Sequence, residues 1–196
     1  MKRHKRLLSV LAVALIAIGI IAYSLRPYYL NIAFGISDYF RDRGLRTPED
    51  VVRVDDISYG PDSFQVMDVY YPAGTSQPLP TIVSIHGGGY TYGSKETYQF
   101  YCMSLCQRGF TVVNFSYRLG PGNKYPSQIQ DTNAVLSLIV EQAEEFYIDP
   151  DNIFFVGDSA GGHLNAQYSA AVSNPDYASL LGLEIPDFQL RKVISI

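Results

Sequence analysis

Phe154-Phe155-Val156-Gly157-Asp158-Ser159-Ala160-Gly161-Gly162-His163-Leu164 decides the fold of this chain. An apolar strand-like segment, residues 152–156, runs through Gly157-Asp158-Ser159-Ala160-Gly161. It enters a stretch with apolar or small residues at helical spacing, Ala160, Leu164, Tyr168 and Ala171. That is G-x-S-x-G in a strand, sharp turn, helix context. The glycines are needed because strand and helix must approach closely on either side of a serine at strained backbone angles. The strain lifts the Ser159 hydroxyl clear and aims the first N–H groups of the helix at whatever that hydroxyl attacks.

Upstream, Thr81-Ile82-Val83-Ser84-Ile85 ends in His86-Gly87-Gly88-Gly89-Tyr90. Successive glycines let backbone N–H groups point into a cavity unobstructed, the requirement of an oxyanion hole. Either motif alone is an ordinary turn or loop. Both in this order in one chain point to nucleophilic acyl transfer.

The chain resembles the hormone-sensitive-lipase-like branch of the α/β-hydrolases, the bacterial acetyl esterases and related carboxylesterases. The resemblance rests on His86-Gly87-Gly88-Gly89, Tyr117-Arg118-Leu119, Pro126 with Asp131, and Gly157 to Gly162, and covers residues 51–196. It implies an α/β-hydrolase fold, a mostly parallel sheet with helices on both faces. It also implies a small-molecule ester as substrate and no cofactor or metal. Ser159 would be the nucleophile, and the oxyanion donors would come from the glycine loop and Ala160. Gly88 and Gly89 are the first choices within that loop and Gly87 the reserve. By the same resemblance His86 orients the loop, Arg118 and Asp131 brace neighbouring loops, and Tyr90 and Tyr92 line the pocket mouth. Asp158 adjoins the serine but points elsewhere on the sharp turn.

A serine needs a base, which this fold supplies as a late histidine preceded by an acid. The three histidines are His4, His86 and His163. His4 precedes an apolar run, His86 opens the glycine loop, and the His163 ring is expected to face the packing surface of its helix. The acid and base are therefore expected beyond Ile196, and these 196 residues alone are expected to be inactive and incomplete at the C-terminus. Residues 192–196 read as the start of another buried strand.

Composition sets outer bounds. A 47% hydrophobic content is ample for a core in a chain of this length. Net charge is −4, and Lys2, Arg3, Lys5 and Arg6 contribute four positive charges, so the rest carries −8. That excludes nucleic acid as an obvious partner. No Cys-His cluster has metal-ligand spacing. Cys102 and Cys106, four apart on an expected helix, read as small buried side chains, with a disulfide as the alternative.

Residues 1–6 form a basic tail and residues 7–25 an apolar run that, as a helix, spans about 28 Å, near the thickness of a bilayer core. An uncleaved transmembrane anchor is expected, with the basic tail cytoplasmic and the hydrolase part outside the membrane. The alternative is a cleaved signal and secretion. Residues 26–50 are a linker or cap. From residue 51 an antiparallel hairpin leads into strands at 81–85, 111–115 and 152–156, alternating with helices at 95–108 and 127–146. Two rival functions share this pattern: an amidase or peptidase on the same fold, and a non-catalytic protein that keeps the elbow for structural reasons.

Overall fold

A computed structural model describes residues 2–195, with side chains described for residues 10–26, 28, 29 and 31–195. The chain divides into two compact units, residues 1–43 and 44–196. The first is helical, with α1 over Lys2–Ser24 and α2 over Arg26–Asp42. Apolar side chains are exposed along both helices, among them Leu15, Ile16 and Ile18 on α1 and Tyr28, Phe34 and Phe40 on α2. Among the described residues no helix is long and apolar enough to cross a membrane. The span expected over residues 7–25, of which 7–9 lie outside the described side chains, draws no support from it.

The second unit is an α/β sandwich. Its strands are β1 (Val51–Ser58), β2 (Val66–Pro72), β3 (Leu79–Ile85), β4 (Thr111–Phe115), β5 (Ile148–Gly157) and β6 (Leu190–Ser195). They form one sheet in the order β1-β2-β4-β3-β5-β6. β1, β2 and β4 pair antiparallel, while β4, β3, β5 and β6 run parallel, so the expected hairpin and mostly parallel sheet are both present.

The period of two along each strand sorts side chains between two cores. Val83, Ile85, Val113, Phe115, Ile153 and Phe155 face one side, packed with Ile129, Leu136, Leu164 and Tyr168 of α4 (Ser127–Glu141) and α5 (Ala160–Ser173). Ile82, Val112 and Val156 face the other, against Cys102, Met103 and Cys106 of α3 (Lys95–Cys106). Helices thus cover both faces. Both thiols are free and buried, and burial pushes each up to about 12.

Three sequence expectations change. The helix expected over residues 127–146 stops at Glu141, and turns follow to residue 147. The elbow strand starts earlier, at Ile148. A short helix, α6 (Pro175–Leu180), lies between α5 and β6, capped by Asn174, whose side chain accepts the Tyr177 N–H. The last strand exists and pairs with β5, but it is not buried: α5 packs against β6, yet most of its residues remain exposed, with Ile194 42% exposed.

Candidate active site

The sheet itself brings the two glycine-rich segments together. β3 and β5 are parallel neighbours in which Ile85 pairs with Gly157. The loops that follow these residues therefore leave side by side from the carboxyl edge of the sheet, where open α/β folds place their ligands.

At the end of β5 the turn is as sharp as the sequence implies. Ser159 has φ +48° and ψ −116°, a conformation unfavourable for a residue with a side chain, and it is exposed at the N-cap of α5. A Cβ at Gly161 would stand 2.0 Å from the Ile85 carbonyl oxygen, so only glycine lets α5 start this close to β3.

Asp158 points away from the serine and across to the other loop. Its Oδ1 accepts the Gly87 N–H at 3.0 Å. Within that loop Gly88 has φ +113°, and a Cβ there would lie 2.2 Å from the Tyr92 carbonyl oxygen. The turn closes on itself, since the Gly88 carbonyl accepts the N–H groups of Thr91 and Tyr92 at 3.1 and 3.0 Å.

His86 is fully buried and stacks on Tyr117, with ring centroids 4.1 Å apart and planes 8° from parallel. Its Nδ1 donates to the Gly87 carbonyl at 2.7 Å, and Tyr117 donates its hydroxyl to the His86 carbonyl at 2.9 Å. Burial pushes the imidazole down to about 4, so the ring is neutral at physiological pH.

Arg118 and Asp131 meet as a fork. The Arg118 Nε and NH2 groups donate to Asp131 at 2.9 and 2.7 Å, the Arg118 backbone N–H adds a bond of 2.8 Å, and Gln65 Nε2 donates at 2.8 Å. The pair ties the segment after β4 to the start of α4 and to the β1–β2 turn. Gln65 carried no signal in the sequence, because a glutamine beside a turn is ordinarily solvated.

His163 departs from expectation. Its ring does not face the packing surface, which Leu164 and Tyr168 occupy. It is exposed, one helical turn beyond Ser159, and its Nδ1 hydrogen-bonds the Tyr90 hydroxyl. The i, i+4 spacing puts it on the side of the serine and the glycine loop. Tyr90 and Tyr92 are both half-buried on that loop. Neither His86 nor His163 is bonded to Ser159, and His4 lies outside the described side chains.

A buried cation fixes the far end of the loop. Lys95, at the start of α3, is 3% exposed and contacts Asp56, Asp68 and Glu96 at 2.9, 2.9 and 2.8 Å. Its carbonyl accepts from Asn114 Nδ2 at 2.6 Å and its N–H donates to Ser116 Oγ. A buried lysine in a helix's first turn is invisible to periodicity, which assigns it to solvent. Among the described residues no group of three His, Cys, Asp or Glu side chains could hold a metal ion.

Comparison with known proteins gives the chain a family. The BD-FAE family model matches residues 67–184. The chain belongs to the BD-FAE family. It is 34% identical over 132 residues to carboxylesterase NlhH of Mycobacterium tuberculosis, covering 64% of this chain and 41% of that protein. It is 37% identical over 97 residues to the acetyl esterase of Salmonella paratyphi B, covering 49% and 29%. Among solved structures, Esterase B from Lactobacillus rhamnosis, inhibited with a tributyrin phosphonate, superposes with a TM-score of 0.84 at 30% identity, covering 89% of this chain and 57% of that one. The chain thus spans less than three fifths of the length of each of these relatives. The α/β-hydrolase fold and the kinship with carboxylesterases and acetyl esterases implied by the four motifs are borne out.

Proposed function

We propose that the chain carries the nucleophile and oxyanion half of a serine carboxylesterase that hydrolyses small acyl esters. The observation that carries this reading is Ser159, exposed at φ +48° beside a glycine loop whose first amide is held by Asp158. Ser159 Oγ attacks the ester carbonyl carbon and gives its proton to a base. The carbonyl π pair moves onto oxygen, and the N–H groups of Gly88, Gly89 and Ala160 stabilise that charge, each contributing about 3 to 4 kcal/mol. Collapse breaks the bond to the alcohol, which leaves with the proton, and water then releases the acyl group by the same steps. Gly87 is left out of the donor set because its N–H is already engaged.

The base and its acid are proposed to come from sequence after residue 196, in the order Ser, acid, His. The support is the 41% share of NlhH that this chain spans. An ester substrate is favoured over an amide by the names of the relatives, a carboxylesterase and acetyl esterases. The deciding experiment is a fluorophosphonate label on the product of the whole open reading frame, followed by peptide mapping. Modification of Ser159 together with p-nitrophenyl acetate hydrolysis is expected; labelling elsewhere overturns the assignment.

The helical unit is proposed to tether the enzyme to a bilayer with residues 1–6 in the cytoplasm. Support comes from the basic start and the apolar residues along α1. The protein should sediment with membranes and be digested by protease added outside spheroplasts. Recovery in the medium with a new N-terminus near Tyr23 would show a cleaved signal instead.

A further inference from the structure

Three successive residues of the glycine loop lie in the left-handed region: Gly88 at φ +113°, Gly89 at +59° and Tyr90 at +63°. For the glycines this conformation is cheap. For a tyrosine it is unfavourable and persists only where surrounding contacts impose it. Two contacts do so. The Tyr90 carbonyl accepts the Gly120 N–H at 2.7 Å, which holds the backbone, and the Tyr90 hydroxyl bonds His163 Nδ1, which holds the ring. The two rings meet edge to face with centroids 6.1 Å apart. His163 sits on α5, whose N-cap is Ser159. The hydrogen bond therefore spans from the loop that presents the amides to the helix that presents the nucleophile, 73 residues apart in sequence.

We propose that Tyr90 and His163 are a positioning pair that fixes the Gly88 and Gly89 amides relative to Ser159. The inference rests on the esterase reading and adds to it a device the reading does not require. Asp158 anchors the loop before these amides, through Gly87. The tyrosine anchors it after them, so both ends of the donor segment are held by the elbow. Without the second anchor the strained turn at Tyr90 relaxes and the amides lose their fixed aim, a loss felt where charge develops on the substrate oxygen rather than on binding the ester.

The test is a double-mutant cycle in the product of the whole open reading frame, assayed on p-nitrophenyl acetate. Tyr90→Phe keeps the ring and removes only the hydroxyl. It is expected to lower kcat about tenfold with KM within about twofold, the signature of a contact that matters only in the transition state. His163→Leu should do the same, and the double variant should be no worse than either single one. His163→Gln, whose amide oxygen can accept the tyrosine proton, should recover part of the loss. Binding of a butyl trifluoromethyl ketone, a tetrahedral mimic, should weaken in step with kcat/KM across the set. Wild-type kcat in Tyr90→Phe, additive losses, or an effect confined to KM overturns the proposal. Because His163 is exposed, its variants keep the test decisive if Tyr90→Phe folds poorly. Ser159→Ala is run beside them: activity retained there removes Ser159 as the nucleophile and with it the reading the pair rests on, whereas an inactive Ser159→Ala with a fully active Tyr90→Phe removes only the pair.

Discussion

Asp158 Oδ1 accepts the N–H of Gly87 at 3.0 Å, so the residue before the exposed serine holds the residue that opens the glycine loop. A Cβ at Gly87 would fall 2.5 Å from the same carboxylate, which shows how closely the two segments are pressed. In the proposed mechanism this contact leaves the Gly88 and Gly89 amides for the oxyanion. Asp158→Ala is expected to lower kcat roughly tenfold with little change in KM, since a preorganised donor set becomes loose. Asp158→Asn keeps an acceptor oxygen and should retain most activity. Equal losses in the two variants would show that charge, not the hydrogen bond, is what matters.

The strain at Ser159 makes a prediction with opposite signs for stability and activity. Ser159→Gly should stabilise the fold by about 1 kcal/mol, because glycine adopts φ +48° without steric cost. It should also lower hydrolysis more than about a thousandfold, as should Ser159→Ala. Chemical denaturation and p-nitrophenyl acetate turnover read the two effects separately. A Ser159→Gly variant less stable than the parent would mean the turn is not strained as described.

Acid should weaken the fold through His86. Its imidazole is held down to about 4 by burial, against about 6.5 in an unfolded chain. Between those values the unfolded state binds the extra proton and the folded state does not. Stability is therefore fully present above about pH 6.5, falls as pH drops, and has lost about 3 kcal/mol by pH 4. His86→Gln should flatten that part of the stability–pH profile. An unchanged slope would assign the acid sensitivity to other groups.

How much of this was legible in the sequence depends on the range of the interaction. The elbow and the glycine loop were readable because each is a local constraint, a turn that only small residues can make, and the pairing of Ile85 with Gly157 follows once β3 and β5 are parallel neighbours. β4 matched its expected limits, Thr111 to Phe115, because Val112, Val113 and Phe115 are the β-branched and aromatic residues of a strand buried on both faces. The partners of buried polar groups were not readable. His163 lies beside Leu164 on a helix rich in small residues, where periodicity marks the core face too weakly to place the ring, and periodicity does not say which surface residues meet a loop. The Lys95 ammonium with Asp68, and Gln65 with Asp131, are contacts between segments distant in sequence, and nothing in one sequence links such positions.

The Arg118–Asp131 fork separates two ideas about buried charge. Asp131 is fully buried and accepts hydrogen bonds from the guanidinium, the Arg118 backbone and Gln65. Asp131→Ala leaves a half-buried cation and a buried amide without their acceptor, and should cost about 3 kcal/mol in chemical denaturation. That figure is not the worth of the pair, because most of it is the penalty on the groups left behind. Pairing the change with an apolar partner tests this: Asp131→Leu with Arg118→Met removes both charges and should recover most of the loss, leaving the Gln65 amide and the Arg118 backbone N–H to account for the remainder. If the double variant is as unstable as Asp131→Ala, the attraction within the fork, rather than the cost of an unpaired charge, is what holds the β1–β2 turn to α4.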